Sequence, residues 1–78
     1  MKIKRDVYNG YLQLHGKEHR QTLRATNNYA ASLIDQQRFR EARSLLRKTM
    51  PVARRVLGEN HDLTLMMQWA YARALYMD

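Results

Sequence analysis

The sequence predicts an all-α protein made of antiparallel helical hairpins, an α-solenoid fragment of about four helices. Two observations lead to this prediction. Apolar residues recur at steps of three and four along most of the chain, which is the spacing of one helix face. The chain also repeats itself after 42 residues, and the repeated unit has the pattern of a helix, a short turn and a second helix.

The internal repeat is seen when the segment starting at Gly16 is laid over the segment starting at Gly58. Seven positions are then identical without a gap: Gly16/Gly58, His19/His61, Thr22/Thr64, Leu23/Leu65, Tyr29/Tyr71, Ala30/Ala72 and Leu33/Leu75. The string Gly-x-x-His-x-x-Thr-Leu therefore occurs twice. So many matches in one register are hard to obtain by chance, and we expect both segments to have the same structure.

The first predicted helix covers residues 1–15. It has an apolar stripe along one side, formed by Ile3, Val7, Tyr11 and Leu14. Gly10 weakens the interior of this helix, because glycine has a low helix propensity. Gly16 is expected to end it, since helices commonly close on a glycine in the left-handed conformation.

A helix–turn–helix unit is predicted at residues 20–57. Its first helix has an apolar face formed by Leu23, Thr26, Ala30, Leu33 and Ile34. Its second helix follows the polar segment 35–38, ends at Gly58, and has a face formed by Phe39, Ala42, Leu45, Leu46, Met50, Ala53, Val56 and Leu57. Pro51 predicts either a kink or a break in this helix, and after a break Thr49 would cap the restarted segment.

The last predicted helix covers residues 61–78 and corresponds to the first helix of a second repeat. We expect Asn60 to cap it and Asp62 to favour the positive end of its dipole. From Leu63 onward its only polar residues are Thr64, Gln68, Arg73 and Asp78. A helix that is apolar nearly all round requires cover on every side, so this helix predicts a missing partner.

Composition and charge limit the classes of function. The 78 residues include no cysteine, which excludes disulfides, thiolate metal sites and cysteine nucleophiles. Fourteen Lys and Arg against seven Asp and Glu give a net charge of +7, which favours anionic partners. No apolar run approaches the roughly 18 residues of a membrane span, and the start lacks the apolar core of a secretory signal. We therefore expect no membrane partner and a cytoplasmic location.

One short motif has the pattern of a metal site. The segment from His15 to His19 spells His-x-x-Glu-His, which zinc peptidases use with both histidines on one helical face and a third ligand. Here Gly16 is expected to end the helix, and His19 is already explained by its match to His61. No Ser-His-Asp arrangement, glycine-rich phosphate loop or isolated carboxylate pair accompanies it. We expect no enzyme activity, no metal and no cofactor.

The repeated residues resemble the tetratricopeptide repeat, and more narrowly the 42-residue variety of kinesin light chains. The resemblance covers residues 14–78 and rests on the His and Thr-Leu string, on Asn27-Asn28-Tyr29-Ala30, and on the aromatic Phe39 followed three residues later by Ala42. It implies one tetratricopeptide-like domain over residues 1–78 that acts as a non-enzymatic protein-interaction module.

The sequence departs from the family pattern at three places. The proline that follows the histidine is replaced by Arg20 in one copy and Asp62 in the other. The Asn-Asn pair becomes Trp69-Ala70 in the second copy, and Gln37 stands where the turn normally has glycine. The coiled coil through which kinesin light chains bind their motor is also missing from these residues, so the resemblance concerns the repeat alone.

The resemblance also implies a concave groove lined by the first helix of each repeat. Its positions here are Arg24, Asn27, Asn28, Ala31, Met66, Trp69 and Arg73. Asparagine amides bond an extended peptide backbone and arginines favour carboxylates, so the implied ligand is an acidic peptide. Trp69 is either an apolar anchor for that peptide or a residue of the core or of an oligomer interface. The methionines at 50, 66, 67 and 77 are expected to fill gaps in the core.

This arrangement leaves the first and last helices each without a partner. We expect a homo-oligomer in which the first helix of one molecule packs on the last helix of another. The residues involved are Ile3, Val7, Tyr11, Leu14, Leu65, Trp69, Leu75 and Tyr76. Two-fold exchange would give a closed dimer and one-way stacking an open fibre. A capless piece of a longer scaffold is the remaining interpretation.

Four arginines share one face of the second helix of the repeat: Arg40, Arg43, Arg47 and Arg54. They form either a solvated outer face or a possible anion-binding stripe that follows the phosphates of a nucleic acid or an anionic surface. No aromatic residues are interleaved for base stacking. A protein or peptide partner is therefore the first expectation, and nucleic acid is the alternative.

Overall fold

A computed structural model describes the backbone of residues 2–77 and the side chains of residues 5–77. Over these residues the chain forms four helices and no strand: α1 (Lys2–His15), α2 (Arg20–Asp35), α3 (Phe39–Leu57) and α4 (Asp62–Met77). The predicted all-α class is confirmed. The expectations for the side chain of Ile3 and for Asp78 lie outside the described residues.

Helix α2 occupies the centre of the fold. It contacts α1, α3 and α4, and α3 also contacts α4. Because short turns join successive helices, neighbours in sequence run antiparallel. The core is formed by buried residues of α2, α3 and α4, among them Leu23, Leu33, Leu46 and Met67, and Tyr8 of α1 packs against it.

Two small residues, Ala30 of α2 and Ala42 of α3, lie in the core that these helices share. Ala30 and Ala42 are both completely buried, and Phe39 and Tyr29 are partly buried against the same cluster. Side chains without atoms beyond Cβ let two helix backbones come close, so that larger neighbours fill the space around the crossing. Enlarging either alanine would therefore displace neighbours in the core.

Helix α3 runs through Pro51 without a break. Proline removes one backbone hydrogen bond, but buried Met50 and Val52 on either side hold the helix against the core. The Thr49 hydroxyl donates to the carbonyl of Leu45 at 2.8 Å, as in a continuing helix, and does not cap a restarted segment.

Helix α1 docks through a different side from its predicted apolar stripe. Tyr8 stacks on Tyr29 of α2 with ring centroids 5.5 Å apart. Partial burial raises the pKa of Tyr8 above 10, and the neighbouring Tyr29 raises it further. The stripe itself faces outward, since Val7 and Leu14 are exposed and Tyr11 is half-buried. The first helix is thus held by residues that lie beside the stripe.

The turn between α2 and α3 places Gln37 in the left-handed region, with φ of 63°. The Gln37 N–H donates to the carbonyl of Ile34 at 2.9 Å, and the Arg38 N–H to that of Leu33 at 2.8 Å. This is the Schellman pattern, in which glycine normally takes the left-handed position. The side chain of Gln37 therefore adds strain where the family pattern has glycine.

Three residues predicted for the core are exposed, namely Val56, Met66 and Met77, and for these the prediction is wrong. Val56 lies in the last turn of α3, Met66 borders the space between α2 and α4, and Met77 is the last residue of α4. Met50 and Met67 are buried as predicted. Helical spacing places a residue on a face, but neighbouring helices decide whether that face is covered.

Candidate functional site

Both repeats begin with the same arrangement of turn and cap. Gly16 and Gly58 have positive φ values of 80° and 100°. The Nδ1 atom of His19 accepts the backbone N–H of Gln21 at 3.1 Å, and that of His61 accepts the N–H of Leu63 at the same distance. The prediction that Asn60 caps α4 is wrong, because the residue directly before the helix is the histidine.

The repeated threonine joins each first helix to the helix before it. The hydroxyl of Thr22 donates to the carbonyl of Tyr11 at 3.1 Å, and that of Thr64 donates to the carbonyl of Ala53 at 3.4 Å. The two acceptors, like the two donors, are 42 residues apart. Helix α1 is therefore joined to the start of α2 as α3 is joined to the start of α4.

The His-x-x-Glu-His string has a structural explanation. The ring of His15 stacks on that of His19 with centroids 4.1 Å apart, and Tyr11 also stacks on His15. His19 uses Nδ1 for the cap of α2. Within the described residues, no group of three or more His, Asp or Glu side chains is placed to hold a metal ion.

A cleft of about 370 Å³ between α2 and α4 contains four of the predicted groove residues: Arg24, Asn27, Asn28 and Met66. The other three do not line it. Ala31 is half-buried, and Trp69 and Arg73 lie exposed farther along α4. The structure thus gathers the part of the predicted groove that comes from the beginnings of the two helices.

Four further residues line this cleft and were not predicted: Arg20, His61, Asp62 and Leu63. Arg20 lies one helical turn before Arg24, and Asp62 lies one turn before Met66. Extending the predicted face by four residues toward each helix start would have identified both. The cleft has two arginines on its α2 wall and one carboxylate, Asp62, on its α4 wall.

Asn27 is the buried polar residue of the cleft. Its side chain is only 7% exposed, yet Oδ1 accepts no hydrogen bond from any described residue. Leaving such an oxygen without a partner costs about 1–3 kcal/mol. Because the oxygen is fully buried, it accepts an N–H from a molecule in the cleft only after the Asn27 amide turns toward the cleft.

The arginines of α3 differ in their surroundings. Arg40, Arg47 and Arg54 are exposed. Arg43 is half-buried, and its Nη1 donates to the carbonyl of Ala74 in the last turn of α4 at 3.2 Å. Because the last carbonyls of a helix have no partner within the helix, Arg43 stabilises the end of α4. One of the four predicted anion-binding residues thus also has a structural role.

A second cavity, of about 420 Å³, lies between α1, α2 and α3 and was not predicted. Lys17 and Lys48 line it together with Tyr8, Leu12, Val52 and three threonines. No acidic side chain contributes to its lining. Its residues come from three helices and a turn, so no single spacing in the sequence marks them.

The two ends of the molecule expose the residues predicted for self-association. On α4, large apolar side chains are uncovered at Leu65, Trp69, Leu75 and Tyr76. At the other end, Val7 and Leu14 are exposed and Tyr11 is half-buried. A shallow cleft of about 240 Å³ between α1 and α2 is lined by Val7, Tyr11, Gln21, Arg24, Ala25 and Asn28.

Comparison with known proteins gives one match. Residues 21–78 match the family model of the tetratricopeptide repeat. The comparisons with curated proteins and with solved structures gave no match. A separate search of the described helices found none with both the length and the apolar character needed to cross a bilayer.

Proposed function

The chain belongs to the tetratricopeptide repeat family, and from this premise we propose that it binds an acidic peptide in the cleft between α2 and α4. Tetratricopeptide repeats in general mediate protein–protein interaction and are not enzymes. The proposed function is therefore non-enzymatic. Beyond the general role of the family, the proposal specifies the kind of ligand and the residues that bind it.

The observation that carries the proposal is the unpartnered Oδ1 of Asn27. An extended peptide presents backbone N–H groups that point sideways, and one of them would give this oxygen its missing hydrogen bond once the Asn27 amide turns toward the cleft. The exposed amide of Asn28, on the next residue of α2, offers both donors and an acceptor to the same ligand. A peptide backbone satisfies these groups whatever its sequence.

The preference for acidic side chains follows from the charges around Asn27. Arg20 and Arg24 both line the cleft, and Asp62 is the single carboxylate opposite them. Guanidinium groups pair with carboxylates through two parallel hydrogen bonds, which favours a Glu or Asp side chain or a chain terminus. Met66 supplies an apolar contact at the same place.

We also infer that the repeat is of the 42-residue kinesin light chain variety. The histidine caps at 19 and 61, the threonine bonds at 22 and 64 and the starts of α2 and α4 all have this separation. This inference concerns the type of repeat and does not extend to the binding of a motor protein.

Self-association is the second part of the proposal. The exposed apolar face of α4 and the outward stripe of α1 lie at opposite ends of the chain, and both would be covered by another copy. Burial of large apolar side chains is the main driving force for such an association. Trp69 belongs to this surface as well as to the implied groove.

A binding titration with a matched pair of probes tests the peptide proposal. The probes are fluorescein-labelled peptide mixtures, one with Glu at alternate positions and the other with Gln there. We expect the Glu mixture to bind more tightly, and Asn27→Ala to weaken it about tenfold, since one buried hydrogen bond is lost. Asn9→Ala, at an exposed position of α1 that does not line the cleft, is the control and leaves binding unchanged. Equal binding by Asn27→Ala and the wild type would contradict the proposal.

The alternative function is binding of nucleic acid or another anionic surface through the arginines of α3. It is favoured by the net charge of +7 and by the exposure of Arg40, Arg47 and Arg54. Arg43 would contribute less, because its side chain is bonded to α4. A salt titration with duplex DNA separates the two functions. Binding that falls steeply with salt and is weakened by Arg47→Gln supports the alternative.

A further inference from the structure

We infer that copies of this chain stack in one direction, with the exposed face of α4 of one molecule seated on the α1–α2 end of the next. The contact would have the geometry in which α2 meets α3 and α4 within one molecule. This inference rests on the proposed self-association. It adds which surfaces meet, and it selects open stacking over two-fold exchange.

The helix pairs α1–α2 and α3–α4 are structurally equivalent. In each pair a histidine caps the second helix and a threonine of that helix donates to a carbonyl of the first. The carbonyls belong to Tyr11 and Ala53, which are themselves equivalent by the repeat. The α1–α2 end of a molecule therefore presents the kind of surface that α3 and α4 present to α2.

Helices α2 and α4 are equivalent by the repeat, but their outer faces differ in exposure. Leu33 is 1% exposed under α3, whereas its equivalent Leu75 is 53% exposed. Ile34 is 3% exposed, and its equivalent Tyr76 is 91% exposed. Leu65 and Trp69 are likewise uncovered where α2 has buried residues. The face that α2 buries against its own hairpin is thus apolar and uncovered on α4.

The α1–α2 end would receive α4 of another copy. The shallow cleft between α1 and α2 is lined by Tyr11, Gln21, Ala25 and Asn28, among others. Their repeat equivalents are the buried residues Ala53, Leu63, Met67 and Ala70, which belong to the core that α3 and α4 form with α2. The cleft is therefore the position in which a helix like α2 packs, and α4 of a second copy is such a helix.

Charge complementarity supports this pairing. Within one molecule Arg20 and Asp62, which are equivalent by the repeat, line opposite walls of the same cleft. In the stack, α4 of one copy takes the place of α2, and α2 of the next copy takes the place of α4. Asp62 of the first copy then lies opposite Arg20 of the second. The same arrangement puts Trp69, which takes the place of Asn27, beside Arg24 of the next copy, where a guanidinium lies well against an indole ring.

One-way stacking would cover both exposed surfaces, the outer face of α4 and the α1–α2 cleft. A two-fold contact between two α4 helices would leave the α1–α2 cleft uncovered. In the stack, each contact forms a new cleft that includes Met66 and Trp69 of one copy and Arg24 of the next. The implied groove residues on α4 would then line a peptide groove that continues from molecule to molecule.

Mixing two variants, each blocked at one end, tests the inference. Trp69→Asp places a charge on the outer face of α4. The double variant Val7→Glu/Gln21→Glu places two carboxylates in the α1–α2 cleft at exposed positions. Val56→Glu is the control, since Val56 is exposed and apolar but lies outside both surfaces. Circular dichroism checks that each variant keeps its helices, and sedimentation equilibrium gives the masses.

We expect the mass of the wild type and of Val56→Glu to rise steadily with concentration. Each blocked variant alone stays at the 9.3 kDa of one chain. Their equimolar mixture forms a one-to-one dimer and grows no further, because it contains a single compatible pair of surfaces. This result is specific to one-way stacking.

Three outcomes overturn the inference in distinguishable ways. If the Val7→Glu/Gln21→Glu variant still forms dimers alone, α4 pairs two-fold and self-association survives without one-way stacking. If Val56→Glu also fails to associate, the surfaces are wrongly assigned. If the wild type stays at 9.3 kDa at every concentration, self-association itself fails, and the peptide proposal is left to the Asn27 titration.

Discussion

Helices α2 and α4 begin two successive repeats, and they differ in what covers them. Both start with a histidine cap after a left-handed glycine. Among the described residues only α2 is followed by a further helix, so Leu33 and Ile34 are buried while their equivalents Leu75 and Tyr76 are exposed. The more apolar helix is thus the more exposed one.

This difference separates local from non-local causes in the fold. The cap and the threonine bond depend on residues within one turn region, and both repeats have them. Burial of the outer face depends on a helix that packs from farther along the chain or from another molecule. Equivalent residues in the two helices therefore form matched pairs in which the local structure is the same and the cover differs.

The largest effect is expected from truncating the leucine that both repeats share. Leu23→Ala removes a completely buried side chain and should lower the free energy of unfolding by about 2–5 kcal/mol. Leu65→Ala should cost less than half as much, because Leu65 is partly exposed. Urea unfolding at a concentration where the protein is monomeric measures both. Equal losses would mean that the outer face of α4 is covered within one chain.

Enlarging the shared alanine gives a smaller effect of the same kind. Ala30→Leu overfills the core around a completely buried position and should cost about 1–3 kcal/mol. Ala72→Leu lies at the equivalent but exposed position of α4 and should change stability by less than about 0.5 kcal/mol. The pair is compared by thermal unfolding. A large cost for Ala72→Leu would place a packed neighbour where none is described.

The caps test the similarity of the two helices. His19→Ala and His61→Ala should each lower the free energy of unfolding by about 1 kcal/mol, because each removes the acceptor of one backbone N–H. Asparagine at either position should restore most of the loss, since its side chain also caps helices. If only one of the two substitutions mattered, the equivalence of the repeats at their starts would be wrong.

The smallest effect concerns the turn at the end of α2, where Gln37 has a positive φ. Gln37→Gly should raise the free energy of unfolding by up to about 1 kcal/mol, because glycine adopts a φ near 63° without strain. Gln36→Gly is the control, and it should give no gain since Gln36 has a φ of −88°. Denaturant unfolding of both variants decides the matter. If both glycine substitutions stabilise the protein, or if neither does, the backbone at Gln37 is not strained.

The features predicted well from sequence are those set by neighbouring residues. The helix ends at Gly16 and Gly58 and the buried face from Leu23 to Ile34 follow from glycine conformation and from helical spacing. The docking of α1 through Tyr8, the bond from Arg43 to Ala74 and the α1–α3 cavity join residues far apart in the chain. Spacing within one helix does not reveal such contacts.

The candidate cleft falls between these two cases. Repeat equivalence and the family resemblance identified Arg24, Asn27, Asn28 and Met66. The partner of Arg20 across the cleft, Asp62, becomes visible only when α2 and α4 lie side by side. The unsatisfied oxygen of Asn27 is likewise a property of the packed structure, because its burial depends on both helices.

We propose that the outer face of α4, which is exposed in the described structure, becomes covered when copies associate. Trp69 is the one tryptophan of the chain and is 74% exposed on this face, so its fluorescence reports on the face directly. Emission and iodide quenching are measured over a dilution series. We expect water-exposed emission and strong quenching at low concentration, with a shift to shorter wavelength and loss of quenching as concentration rises. Emission typical of a buried indole that does not change with dilution would contradict the claim.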